Sequence, residues 1–114
     1  MEEKMMQEDY EIRMEEIHKQ RDIYQEQLAV SKKEAKAFED SFFNDMRELE
    51  AIKEQHFDDI RLIDRTEICQ NTLHGIKRKI DDMFEEMQKE LTGKIKELDD
   101  REGYLRYEIT QMKK

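Results

Sequence analysis

The chain contains no proline, and only three of its 114 residues are glycine. Proline interrupts helices and glycine marks many tight turns, so this chain offers few places at which a helix would have to end. A globular domain of this length would normally show several turn clusters and a wider apolar face. These absences argue against a compact fold of short elements and favour long helices.

Cysteine and long apolar runs are almost absent as well. Cys69 is the only cysteine, so no disulfide can form within the chain and nothing indicates an oxidising compartment. No stretch approaches the ~20 apolar residues that a membrane span requires, and Met1 to Lys4 begins with acid rather than with a signal peptide. We therefore expect a cytoplasmic protein without a membrane anchor.

The charge is high and acidic. Of all residues 45% are charged, and the formal net charge is −9. Phosphates of nucleic acids and anionic lipid headgroups repel such a chain, so we expect no nucleic-acid partner and no direct membrane insertion. A protein partner with a basic surface suits it better.

What the sequence does contain is an apolar seam spaced alternately by four and three residues. That spacing averages 3.5 residues per turn and is needed only by helices that pack along their whole length. In the first half the seam comprises Tyr10, Met14, Ile17, Arg21, Tyr24, Leu28, Ser31, Ala35, Phe38, Phe42, Asp45, Leu49, Ile52 and His56. Its polar members Arg21, Ser31 and Asp45 are expected to fix register and orientation.

The second half repeats this pattern. Its predicted seam comprises Ile60, Ile63, Thr66, Cys69, Leu73, Ile76, Ile80, Met83, Met87, Leu91, Ile95, Leu98, Glu102, Leu105, Ile109 and Met112. Between Met87 and Leu98 the seam advances by steps of four, an eleven-residue spacing that locally relaxes left-handed supercoiling.

We predict an all-α protein: one elongated antiparallel two-helix hairpin of coiled-coil type that forms a single domain over residues 1–114. Helix 1 would run from about residue 2 to 55 and helix 2 from about 60 to 113, each about 80 Å long. The favoured turn is Gln55 to Asp59, where Asp58 or Asp59 can cap the second helix. A start at Asp64, or a turn at Asn71 to Gly75, remains as an alternative.

Residue patterns for catalysis or metal binding are missing, so we predict no enzyme, no cofactor and no metal site. Two narrow helices cannot enclose a pocket of converging polar groups. Cys69 is interpreted as a small buried hydrophobe, since His74 lies five residues on and faces away from it. Glu15 and His18 match one Glu-x-x-His unit of a di-iron bundle, which needs two such units and further carboxylates.

A second apolar set lies beside the seam. A two-helix hairpin needs only its seam, so flanking apolar residues favour docking of another helix, with scattered surface hydrophobes as the alternative. The predicted partner-binding face comprises Ile12, Ile23, Val30, Phe43, Phe84, Tyr104 and Tyr107, and the wider set adds Ala37, Ala51 and Ile68.

The chain resembles the ESAT-6-like small proteins of type VII secretion, above all the small helical partners encoded beside LXG toxins. The residues that carry the resemblance are Tyr104-x-x-x-Glu108, the segment Leu98 to Leu105, and Phe38, Phe42 and Phe43. The chain lacks tryptophan, so the Trp-x-Gly turn of such proteins is absent and Leu73-His74-Gly75 echoes it only loosely.

The resemblance implies a non-enzymatic, chaperone-like adaptor or targeting factor that binds the helical N-terminal domain of an LXG toxin. It implies export together with that partner, and an export motif at Tyr104 and Glu108. A second small helical protein in the complex and a homodimer both remain open. The alternative function is a homodimeric coiled-coil spacer or cytoskeletal tether whose chain never turns back.

Overall fold

The structure is a computed structural model that describes the backbone of residues 2–113 and the side chains of residues 7–113. Two helices account for nearly all of it: α1 spans Glu2–Gln55 and α2 spans Ile60–Met112. The second helix therefore ends one residue before the predicted limit. Within residues 2–113 there is no strand.

The turn lies at residues 56–59, within the segment favoured from the sequence. The Oδ1 atom of Asp59 accepts a hydrogen bond from the backbone N–H of Leu62 at 3.1 Å, which is the contact of a helix N-cap. The N–H of Asp59 donates to the carbonyl of His56 at 3.0 Å. Both Asp64 and Gly75 lie inside α2, so neither alternative turn forms. The unbroken helix that the spacer alternative requires is not formed either.

Contacts between the helices fall into two units. Unit 1 joins the part of α1 up to Val30 to the part of α2 from Gln88 onward, and unit 2 contains residues 31–87. In unit 1, Tyr10 contacts Glu108 whereas Arg21 contacts Asp99. In unit 2, the ring of Phe42 lies 5.3 Å from that of His74, whereas Glu50 contacts Gln70. In each unit, residues that come later in α1 contact residues that come earlier in α2, so the two helices are antiparallel. The predicted antiparallel two-helix hairpin is confirmed.

The core of unit 1 follows the predicted seam of both helices. Ile17, Leu98 and Leu105 are buried and form one cluster. The half-buried side chains of Tyr10, Met14 and Tyr24 pack against it. Burial of these apolar groups is the main force that can hold two amphipathic helices together.

In unit 2 the predicted seam of α1 is confirmed at Leu49, which is half-buried, but is wrong at Asp45, Ile52 and His56. Asp45 is exposed and Met46 is half-buried in its place, while Ile52 is 36% exposed and Lys53 is half-buried. The seam therefore takes two consecutive steps of four, from Phe38 through Phe42 to Met46. This shift removes a carboxylate from the interface and places a methionine there, which is the cheaper arrangement.

The predicted seam of α2 in unit 2 is confirmed at Ile63, Thr66, Leu73 and Ile80 and is wrong at its other positions. Residues predicted to be buried are exposed instead: Ile60, Cys69, Ile76, Met83 and Met87. Near the end of the same helix, Met112 is also exposed, at 37%. The buried or half-buried seam of α2 in unit 2 comprises Ile63, Thr66, Gln70, Leu73, Lys77, Ile80 and Phe84, and the next half-buried residue along the helix is Gln88.

This seam has a physical reason, because its polar residues have partners: Gln70 and Lys77 contact α1, and the hydroxyl of Thr66 donates to the carbonyl of Leu62 in its own helix at 2.7 Å. Gln70 Nε2 donates to Glu50 at 3.0 Å, and Lys77 Nζ lies 5.4 Å from the ring centroid of Phe42. Burying polar groups costs little when they are paired. The eleven-residue step of α2 accordingly runs from Ile80 through Phe84 and Gln88 to Leu91, earlier than predicted.

Candidate functional site

A cluster of charged residues sits inside the seam of unit 1. Glu102 is 8% exposed and pairs with Arg21 from α1 and with Arg106 of its own helix at 2.6 Å. Arg21 also reaches Asp99 at 3.0 Å, and His18 Nε2 lies 3.2 Å from Glu102 Oε1. The hydrogen bond with His18, followed by that from Arg21, lowers the pKa of Glu102. Hydrogen bonds to Asp99 and Glu102 raise the pKa of Arg21.

This cluster constrains how the two helices of unit 1 pair. The two helices can pair only in a register that keeps the cationic partners next to the buried carboxylate of Glu102. Any other register would leave that charge buried without a partner, which is costly. The predicted role of Arg21 in fixing register is consistent with this geometry. The pairing with Glu102 was not predicted, although both residues are charged interruptions of the seam in segments that a hairpin brings together.

The suggested export motif takes part in a second cross-helix contact. The hydroxyl of Tyr10 on α1 donates to Glu108 on α2. Hydrogen bonds from Tyr10 and then from Tyr104 lower the pKa of Glu108, and those bonds raise the pKa of both tyrosines. Glu108 therefore joins α2 to α1, while the Tyr104 side chain remains 63% exposed.

One side of unit 1 forms an open groove between the helices, which we call the unit 1 groove. Its apolar residues are Ile17, Leu98 and Leu105, and its polar lining comprises Arg13, Glu16, Gln20, Asp100, Arg101, Tyr104 and Glu108. An apolar centre with charged residues of both signs around it resembles a protein contact surface more than a small-molecule pocket.

Part of the predicted partner-binding face continues this groove. Ile23 lies seven residues after Glu16, and Val30 a further seven, so both project on the groove side of α1. Their exposed fractions are both 48%. Tyr104 belongs to the groove itself. In contrast, Ile12 and Tyr107 are 55% and 62% exposed and lie on the outer surfaces of their helices, away from the seam.

The remaining two residues of the predicted partner-binding face, Phe43 and Phe84, belong to unit 2 and differ in their exposure to solvent. Phe43 is 49% exposed, lies 5.6 Å from Phe42 by ring centroid, and is contacted by Lys77 at 6.0 Å. Phe84 is half-buried and occupies a seam position, so its assignment to the exposed face is wrong.

The residues considered as candidate catalytic or metal-binding groups do not lie together in the structure. Cys69 is exposed rather than buried, which corrects its interpretation as a core residue. Glu15 pairs with Lys19 at 3.6 Å on the surface, whereas His18 contacts Glu102. No group of three or more potential metal ligands occurs among the residues whose side chains the structure describes.

The lowered pKa values make the stability of unit 1 sensitive to acid. A carboxyl whose pKa is lower in the folded state stabilises the fold above its unfolded pKa of about 4.3, and this contribution is lost as pH falls through the folded pKa. We expect Glu108→Gln to lower the melting temperature at pH 7 but to have a much smaller effect at pH 3. Circular dichroism melts at both values measure this difference.

The matched control is Glu11→Gln, which removes the same charge from an exposed position next to Tyr10. Its effect on the melting temperature should be small at both pH values. An effect of Glu108→Gln that is equal at pH 7 and pH 3 would contradict the assignment.

Comparison with protein-family models, with curated proteins and with solved structures finds no match to this chain. Across the described residues, neither helix has a segment that is long and apolar enough to cross a bilayer.

Proposed function

We propose that this protein is a non-enzymatic adaptor that binds the helical N-terminal domain of a larger protein, as the small partners of LXG toxins do. The observation that carries the proposal is the unit 1 groove, with Tyr104 exposed in its lining and Ile23 and Val30 exposed beside it. Apolar residues at helical spacing beside an apolar groove are what a docking helix covers. The resemblance to proteins encoded beside LXG toxins supplies the partner class.

The charge of the chain supports the same partner type. A net charge of −9 favours a partner with a basic face and speeds its encounter with this protein. The lining of the groove offers both Arg13 and Arg101 and both Glu16 and Asp100, so it can pair with polar residues at the rim of a docked helix. Export together with the partner, through Tyr104 and Glu108, forms part of the proposal.

The test is co-expression of the full chain with the helical N-terminal domain of the LXG toxin encoded beside it. We expect a stoichiometric complex on size-exclusion chromatography. Ile23→Glu should raise the Kd at least ~10-fold, because it places a charge where an apolar side chain would be covered. Isothermal titration calorimetry measures the Kd.

The matched control is Ile12→Glu, because Ile12 is an isoleucine of similar exposure, 55% against 48% for Ile23, on the outer surface of the same part of α1. It should leave the Kd unchanged. A toxin domain that elutes separately from the wild-type chain overturns the proposed function, and equal damage from both substitutions overturns the assigned face.

A further inference from the structure

Within unit 2, α2 carries two overlapping seams. The seam that packs on α1, which we call the packed seam, contains the polar residues Gln70 and Lys77. The other, which we call the outer seam, follows steps of four and three through Cys69, Leu73, Ile76, Ile80 and Met83. The half-buried Leu73 and Ile80 belong to both seams, whereas Ile76 and Met83 are 45% and 62% exposed. The outer seam is the more apolar of the two.

The same duplication occurs on α1. Its packed seam runs from Phe42 through Met46, Leu49 and Lys53, and its outer seam runs from Phe42 through Asp45, Leu49 and Ile52. The outer seam continues the 4-3 spacing of the preceding turns, whereas the packed seam needs two consecutive steps of four. Each helix of unit 2 therefore has shared seam residues and two adjacent sets of residues, either of which completes a seam.

Only a small movement separates the two arrangements. On both helices each residue of the outer set immediately precedes its counterpart in the packed set, as Ile76 precedes Lys77. Neighbouring residues differ by about 100° around a helix, so the centres of two seams that share half of their members differ by about 50°. Phe42, which now lies beside Lys77, would then face Ile76, a slide of about 1.5 Å along the axis.

The two arrangements are balanced by opposing interactions. Packing through the outer seam buries the apolar side chains of Ile52, Ile76 and Met83 and releases polar ones to water, which is favourable. It also gives up the hydrogen bond from Gln70 to Glu50 and the contact of Lys77 with Phe42. In addition it brings the carboxylate of Asp45, now exposed, into the interface, where burial of an unpaired charge is costly.

We propose that unit 2 is a two-state conformational switch, in which α1 and α2 rotate between the packed and the outer seam and Asp45 favours the packed state. The switch changes what unit 2 displays on its surface. The packed state exposes the apolar residues of the outer seam, and the outer state exposes the polar residues of the packed seam. A molecule that covers either set shifts the population toward the state that displays it.

Cys69 is a natural reporter of the switch, because its thiol is exposed in the packed state and would be covered in the outer state. Asp45→Leu should slow the reaction of this thiol with Ellman's reagent on the order of 10-fold, because it puts an apolar side chain where the outer seam buries a carboxylate. The matched control is Glu48→Leu, which removes the same charge from an exposed position of α1 that neither seam uses. It should leave the rate unchanged.

A second reporter follows the opposite face of the seam. In the variant Cys69→Ser/Gln70→Cys, the new thiol occupies a position that is 8% exposed in the packed state and would be uncovered in the outer state. Addition of Asp45→Leu should accelerate its reaction with Ellman's reagent. Opposite changes at two adjacent positions distinguish rotation from unfolding, which exposes both thiols, and from self-association, which slows the Cys69 thiol without uncovering position 70. Rates that both stay constant, or both change in one direction, overturn the proposal.

Methyl relaxation dispersion measures the exchange in the wild-type chain. The methyl groups of Ile52 and Ile76 change their surroundings between the two states, so both should show exchange at a common rate on the μs–ms timescale. Ile68 is 65% exposed and lies off both seams, so its profile should be flat. Flat profiles at all three residues, with the Ile52 and Ile76 shifts unaltered by Asp45→Leu, contradict the switch. The outcome is independent of the proposed adaptor function, because these experiments use the purified chain alone.

Discussion

Leu98→Ala is expected to lower the free energy of unfolding by about 2–4 kcal/mol, a large part of the stability of a two-helix protein. Leu98 is only 7% exposed and lies in the buried cluster with Ile17 and Leu105. The substitution removes three carbon atoms from an interface whose backbone is fixed by two long helices, so the gap closes only partly. Urea denaturation followed by circular dichroism measures the change.

The control for this prediction is Tyr107→Ala, a larger truncation at a position that is 62% exposed. It should change the free energy of unfolding by no more than about 0.5 kcal/mol. Equal effects of the two substitutions would mean that Leu98 does not lie in the core described here.

Arg21→Leu is expected to lower the melting temperature by several degrees, although leucine is the more typical seam residue. The substitution removes the guanidinium that α1 places against the buried carboxylate of Glu102, which then retains only His18 and Arg106 as partners. In contrast, the double variant Arg21→Leu/Glu102→Leu should melt at or above the temperature of the wild type. Replacing a buried ion pair by apolar residues is often neutral or stabilising, whereas removal of one partner is not. Thermal melts of the two variants test both expectations.

Glu102→Leu completes the double-mutant cycle, because it removes the carboxylate while Arg21 retains Asp99 as a partner. We further expect the double variant to lose specificity, which cross-linking would reveal as altered helix pairing or additional oligomers. If Arg21→Leu and the double variant melt at the same temperature, Glu102 does not depend on Arg21.

The sequence predicted the fold well, because two properties leave few alternatives. Without proline and with few glycines, the helices have little reason to stop except where Asp59 can cap a new one. The 4-3 spacing through Ile17 and Leu28 fixes which stripe of α1 faces its neighbour. The antiparallel hairpin follows from these two local rules together with the turn.

The register of α2 in unit 2 could not be predicted in this way. Both of its seams use Leu73 and Ile80, and apolarity alone favours the one through Ile76 and Met83 over the one through Lys77 and Phe84. In the structure the seam through Lys77 and Phe84 faces α1, where Lys77 packs on Phe42 and Gln70 donates a hydrogen bond to Glu50. Such cross-helix pairs depend on the stagger of the helices, which a one-dimensional pattern does not contain.

Only part of the candidate site could be predicted, because cross-helix contacts within it also depend on the stagger of the helices. Residues off the seam, such as Ile23 and Val30, are exposed because helical periodicity alone places them outside. The contacts of Glu108 with Tyr10 and of Glu102 with Arg21 join residues far apart in the sequence, so no local pattern reveals them. The sequence therefore identified surface residues but not the contacts that orient the helices.

The two helices are 54 and 53 residues long, and their paired positions are ordered in opposite directions along the chain. A heptad inserted into one helix displaces the residues beyond it by about 10 Å relative to their partners on the other. The cross-helix pairs beyond the insertion are then restored only if the opposite helix gains the same length. Evolution of this hairpin is therefore constrained to paired insertions and deletions of whole heptads, so relatives would be expected to vary in length by multiples of fourteen residues.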